Sequence, residues 1–179
     1  KTLQLKDWST QPAAEFVTGP TIRRHNGKDI VAAATKDGRV LLLDAASLGG
    51  ANHATALHAS KPIVGAGSTV SGALATWQQP DSTAATTWIL VPVTGRLSAP
   101  GLGTNGAVTA GAVVALKLLD AGSALSLTPG WVSADLTSPA TPMIVNGVVF
   151  TLATGRASTA TGRNIPAVLH AYEGDTGKR

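Results

Sequence analysis

Three stretches of this chain end in the same way, and that repetition limits the folds open to it more than any bulk property. Leu42-Leu43-Asp44-Ala45-Ala46-Ser47, Leu118-Leu119-Asp120-Ala121-Gly122-Ser123 and Ala171-Tyr172-Glu173-Gly174-Asp175-Thr176-Gly177 each run from an apolar strand through an acidic residue into a small-residue turn. A carboxylate closing a strand accepts hydrogen bonds from the free N–H groups of the turn, and a Ser or Thr hydroxyl three residues on can join it. Gly177 suits the left-handed position that such a turn needs. Each copy uses its acid alike, whereas a catalytic residue is normally singular. Asp44, Asp120, Glu173, Thr176 and Gly177 are therefore read as structural turn residues. A unit repeated at this spacing means an architecture in which each copy buries its apolar faces against its neighbours.

The residues before each ending supply the rest of the unit. In the first copy Pro20-Thr21-Ile22 opens, His25-Asn26-Gly27-Lys28 turns, and Ile30 to Thr35 reads as a strand. Lys36-Asp37-Gly38 then makes a hairpin into Val40 to Asp44, and Ala56 to Ala59 supplies an outer strand. The second copy runs through Ala73 to Trp77, Thr87 to Val91 and Ala112 to Asp120, with an insert at 95–110 that exceeds an ordinary hairpin loop and implies either a functional or a mobile segment. In the third, Pro142 to Val145 meets the turn Asn146-Gly147, the strongest two-residue hairpin signal, before Val148 to Leu152. A second insert, 155–165, precedes Ala167 to Glu173. The expectation is one partial domain over 1–179, all-β, with about three four-stranded antiparallel units at 19–60, 71–128 and 139–179.

Composition agrees with many short strands. The chain is 44% hydrophobic and 13% charged, with 20 Gly and 10 Pro, a foldable mixture rich in turn formers. Its net charge of +4 comes from scattered basic residues, of which Arg23-Arg24 is the densest pair. Trp8, Trp77, Trp88 and Trp131 stand apart from them, so no nucleic-acid surface of interleaved cations and stacking rings is expected. The absence of cysteine removes disulfides, thiolate chemistry and Cys-type zinc sites. No stretch reaches the length of a membrane span, and no signal pattern follows Lys1, so the chain is expected to be part of a longer one.

Ala171-Tyr172-Glu173-Gly174-Asp175-Thr176-Gly177-Lys178 resembles the repeat signature of pyrroloquinoline-quinone-like (quinoprotein alcohol dehydrogenase-like) β-propellers, Ala-x-Asp-x-x-Thr-Gly-x-x-x-Trp, with Glu173 in place of the aspartate. Trp131-Val132-Ser133-Ala134-Asp135-Leu136, leading into Pro142 to Phe150, is similar to the transition between blades in bacterial proteins of this kind. The resemblance implies a β-propeller segment of about three blades from a parent of seven or eight, first strands innermost, and a periplasmic or secreted location. In that setting the partners are neighbouring blades and, through loops, a protein or small ligand.

Other motifs carry less chemistry than they suggest. Gly101-Leu102-Gly103-Thr104-Asn105-Gly106 matches the dinucleotide fingerprint, but Ser98-Ala99-Pro100 precedes it and a Val-rich strand follows, where a strand and a helix are required. It reads as a flexible insert loop. His53 and His58, five residues apart on an extended segment, face opposite ways and have no acid nearby in sequence; His25 and His170 have no visible partner. There is no nucleophile elbow, and Glu15 and Glu173 are the only glutamates. In the quinone dehydrogenases that the resemblance brings in, a tryptophan stacks on the cofactor and oxygen ligands hold calcium. Trp77 or Trp88 and Asn105 or Asp81 are the positions to examine for this, although packing and turn roles account for them better. The expected function is a non-catalytic scaffold with no cofactor of its own. The alternatives are a fragment of a quinone- and calcium-dependent alcohol or sugar dehydrogenase, or a propeller like the outer-membrane assembly factors.

Overall fold

The computed structural model describes residues 2–12, 14–80, 86–98, 102–122, 124–156 and 164–179. Among them there is no α-helix, only one 3₁₀ turn at Gly50–Asn52, and the rest of the regular structure forms three antiparallel sheets.

Sheet I follows the expected order closely: β1 (Thr21–His25), β2 (Lys28–Ala34), β3 (Val40–Asp44) and β4 (His58–Ala59) pair as successive neighbours. Asn26 and Gly27 between β1 and β2 have φ of 47° and 79°. Both central residues are thus left-handed, the type I′ geometry whose twist matches that of the flanking strands.

Sheet II departs from the four strands expected over 71–128. It has five, beginning with β5 (Thr69–Val70) and β6 (Ala75–Gln79) and continuing through β7 (Thr86–Thr94), β8 (Gly111–Asp120) and β9 (Leu125–Val132). β5 and β6 both pair with β7, at Thr94-Val93 and at Leu90 to Thr86, so they are one edge strand broken at Ser71 to Leu74. The break recurs. Phe16 bridges Thr35 ahead of β1, and Pro139 bridges Ala153 ahead of the first strand of sheet III. Each sheet therefore begins with a two-part strand, a feature the hydrophobic pattern hides because the first part is so short. β9 also outruns its expected end. The bulge that sets Ala115 opposite Trp131 and Leu116 opposite Pro129 leaves Gly130 as an extra residue, and proline is tolerated there because β9 is an edge strand.

Sheet III has three strands rather than four: β10 (Met143–Val145), β11 (Val148–Ala153) and β12 (Val168–Glu173). Its first turn, Asn146-Gly147, repeats the left-handed pair of sheet I with φ of 49° and 78°. The insert between β11 and β12 is pinched by an antiparallel bridge of Arg156 with Ile165.

Sheet II lies between the other two, which explains why β7 and β8 read as unbroken apolar runs. Ile89, Val91 and Val93 join Ile30, Ala32, Ala34 and Leu42 of sheet I in one core, while Trp88 and Leu90 join Val149, Ala153 and Tyr172 of sheet III in another. Alternate side chains of a strand point to opposite faces, so a strand packed on both sides has no polar alternation. Truncating a fully buried residue such as Leu90 to alanine should cost about 2–5 kcal/mol. At the first-strand edge the sheets are joined in series by hydrogen bonds. Thr21 Oγ1 donates to Leu74 O at 2.9 Å, Ser71 Oγ to Pro139 O at 3.0 Å, and Ala73 N to Thr141 Oγ1 at 2.8 Å. The break in each first strand sits where these ties are made.

The two outer sheets differ on their far sides. On sheet I, Val31, Ala33, Leu41 and Leu43 are buried; Asp7 and Thr10 bond Leu48 and His53, and Glu15 and Val17 bond Lys36 and Ala34. On sheet III, Met143, Val145, Leu152 and Leu169 are exposed, Leu169 by 68%.

Candidate functional site: the turn face and its junctions

Antiparallel order places the turn after each first strand and the acid after each third strand at the same end of a sheet. Asp44 lies at this end of sheet I, where Ala45 N bonds Asp29 O, Asp120 reaches the Asn26 turn of sheet I, and Glu173 pairs directly with Val148 beside Asn146-Gly147. The acids do not act identically, as the sequence suggested. Asp44 Oδ1 accepts from Ala46 N at 2.8 Å, a local cap. Asp120 Oδ1 caps Gly122 N at 2.8 Å, while its Oδ2 accepts from the Asn26 side chain of sheet I at 2.6 Å. The Asn26 amide, aided by the Gly122 N–H and by nearby His25 and Lys28, lowers the Asp120 pKa. Glu173 Oε2 accepts from Thr176 Oγ1 at 2.6 Å, the hydroxyl interaction expected three residues on.

His25, without a visible partner in the sequence, is wedged between sheets I and II. Its Nδ1 is 3.3 Å from Thr87 Oγ1 and its Nε2 3.5 Å from Asp120 Oδ2. This junction encloses a cleft of about 310 Å³ bordered by Asn26, Lys28, Asp44 and Leu125.

At the junction of sheets II and III the decisive residue is Trp131 on β9. It is 3% exposed, and its indole N–H donates to Gly174 O at 2.8 Å. Its six-membered ring lies against Gly177, which has φ of 66°, and a methyl group there would stand 2.2 Å from Cε3. Gly177 is therefore required twice, for backbone conformation and for the approach of the ring. Trp77 of β6 covers Gly174 from another side. The acid-turn signature is thus a socket for tryptophans of the preceding sheet. Sequence reasoning found the socket but not what fills it.

The 95–110 insert is fixed to this junction, not flexible over its described part. Thr104 forms a parallel bridge with Val132, and the Asn105 side-chain nitrogen donates to Val132 O at 3.1 Å and to Thr176 O at 2.9 Å. Thr104 and Asn105 of the glycine motif therefore lie against β9, and Asn105 reaches into sheet III. Asp135 holds the far end of the insert, its Oδ1 accepting from Thr109 N at 2.9 Å and Ala110 N at 2.8 Å and its Oδ2 from Thr109 Oγ1 at 2.7 Å. Burial raises the Asp135 pKa, but the combined hydrogen bonds from Ala110, Thr109 and Gly111 outweigh it and leave the value lowered. Asp135 is separated from the insert by β8 and β9, so nothing local in the sequence marks this contact.

The remaining candidates are spoken for. His53 stacks on Trp8 with centroids 4.2 Å apart, and its Nδ1 lies 3.2 Å from Asp7, an acid distant in sequence. The Trp8 N–H lowers the Asp7 pKa, with further help from Leu48 N–H and His53 against a smaller opposing effect of burial. His170 packs on Tyr172 and meets Arg179; burial and that guanidinium lower its pKa. Trp88 is 2% exposed, with Gly130 against its ring, the Lys117 ammonium 4.9 Å from the ring centroid and its N–H donating to Gln79 Oε1 at 3.0 Å. Trp77 is taken up by Trp88 and the glycine turns. Asp81 lies outside the described residues. Among those described, no group of three or more His, Asp or Glu could hold a metal ion. Comparison with known proteins finds no matching family and no matching curated protein.

Proposed function

We propose that the chain is a segment of a β-propeller with quinoprotein-like repeats, serving as a rigid, non-catalytic scaffold that binds a protein or small ligand. The observation that carries the reading is the Trp131 tie: an indole of one sheet hydrogen-bonded to the acid-turn carbonyl of the next and stacked on its glycine. The series of first-strand hydrogen bonds supports a fan of sheets with first strands innermost. The exposed apolar face of sheet III supports continuation by a further blade.

The scaffold role rests on how the polar groups of the turn face are used. Asp120, Asn26, Asn105 and Asp135 each spend their bonds on holding sheets and inserts in place. Hydrogen bonds donated to a carboxylate favour its charged form and lower its pKa, which makes it a weaker base near pH 7. Calorimetric titration with pyrroloquinoline quinone in excess calcium, against a calcium-free run, tests the proposal. The scaffold reading expects no heat of binding from the folded protein. Stoichiometric, calcium-dependent binding would overturn it in favour of the quinone dehydrogenase.

A further inference from the structure

At the outer rim of the junction between sheets I and II the two sheets do not match. β4 has two residues and β9 has eight, so the packing that fills the rest of this junction runs out. What remains is a cleft of about 480 Å³, with His58 and Lys61 on the sheet I side, Leu116, Leu127 and Pro129 on the sheet II side, and Leu102 of the insert. It is distinct from the turn-face cleft and lies within the size range of small-ligand sites.

His58 is the feature that packing does not explain. It pairs directly with Leu42, a core residue turned towards sheet II, and residues directly opposite in a ladder share a face. The imidazole is therefore directed at sheet II. Its Nε2 is out of contact with water and has no hydrogen-bond partner, and burial lowers its pKa, keeping the ring neutral at pH 7. A buried polar atom left unpaired calls for a partner. Beside it, Lys61 forms no salt bridge with any carboxylate among the described residues.

We propose that this cleft binds a small amphiphilic carboxylate, an aryl or short-chain acyl acid. The tail lies against Leu116, Leu127 and Pro129, the carboxylate faces the Lys61 ammonium, and a turn of the His58 ring brings its shielded Nε2–H into reach of the carboxylate. An amine would be repelled by Lys61, and a bare phosphate would leave the apolar wall unused. The proposal goes beyond the scaffold reading because the site lies on the outer rim and needs no particular number of sheets.

The test is NMR titration of the chain at pH 7 with benzoate and hexanoate, with benzyl alcohol and hexanol as neutral controls, following the His58 imidazole resonances. Saturable carboxylate binding is expected, with a rise in the His58 titration midpoint, since a bound anion favours the protonated ring. Lys61→Gln, a surface change that leaves the fold intact, and His58→Leu, which fills the site with an apolar side chain, should each weaken binding about tenfold. No saturable shift through the millimolar range would overturn the proposal. So would alcohols binding as tightly as the acids, or unchanged affinity in Lys61→Gln.

Discussion

Gly177→Ala isolates the contact on which the junction of sheets II and III depends. The added methyl would stand 2.2 Å from Trp131 Cε3 and 2.5 Å from Cδ2, against about 3.5–4.0 Å for carbon atoms in contact. The ring must retreat by more than an ångström, yet it is 3% exposed and held at its nitrogen by Gly174 O at 2.8 Å. Overpacking of this kind costs about 1–3 kcal/mol. The left-handed backbone adds about 1–2 kcal/mol for a residue with a Cβ. The total, about 2–5 kcal/mol, is a large share of the stability of an ordinary domain. Trp131→Ala alone should cost about 3–5 kcal/mol through its cavity. In that background the overpacking component of Gly177→Ala vanishes and only the backbone component, about 1–2 kcal/mol, remains. Urea unfolding of all four variants, followed by far-UV circular dichroism so that loss of an indole does not confound the signal, gives the coupling directly. The double variant is expected to be about 1–3 kcal/mol less destabilised than the sum of the two single variants. Equal cost of Gly177→Ala in both backgrounds would mean that the ring does not occupy the glycine and would refute the socket.

The remaining predictions probe other ties. Trp131→Phe keeps a ring over Gly177 but leaves Gly174 O without its donor, so it should cost about 1–2 kcal/mol in the same urea assay; no loss would make the indole hydrogen bond dispensable. Asp135→Asn should destabilise by about 1–2 kcal/mol, the low end for charge-assisted bonds because the site is exposed, and should speed amide exchange at Thr109 and Ala110. The Asp135 pKa is lowered on folding, so its contribution is present above the unfolded carboxylate value and disappears as pH falls through the folded one. Asp135→Asn should flatten that acidic limb, and an unchanged pH profile would refute the assignment. Asn105→Ala, which severs the insert from Thr176, should raise exchange of amides at 103–106 while leaving sheet I unaffected.

The legible part of this fold was the part written in local chemistry. Asn26-Gly27 and Asn146-Gly147 each favour a two-residue left-handed turn, and Val40 to Asp44 between turn residues has little alternative to a strand, so β3 was read to the residue and the other strands of sheet I to within three residues at their ends. Thr69-Val70 was missed because two residues carry no period, and the short lead-in pairs at Phe16 and Pro139 are equally silent. Trp131 was quoted for its resemblance but not for its contact, since the partner that explains it, Gly174, lies far along the chain. His53 with Asp7 and His25 with Asp120 were missed for the same reason: pairs of residues far apart in the chain leave no local signature.

The distribution of these ties also explains where a ligand site can lie. The first-strand edge is closed by Thr21, Ser71 and Thr141, and the turn end by Asp120, Trp131 and Asn105, so a change at either place disturbs two sheets at once. Among the described residues the outer strands carry no comparable series of ties: β4 is two residues long beside a bulged β9. Variation in outer-strand length opens space between neighbouring sheets, and insert residues such as Leu102 then line it. Three sheets joined in this way confine their rigid bonding to the first-strand edge and one end, leaving the last-strand rim as the place where a new binding function can arise without unfolding the whole.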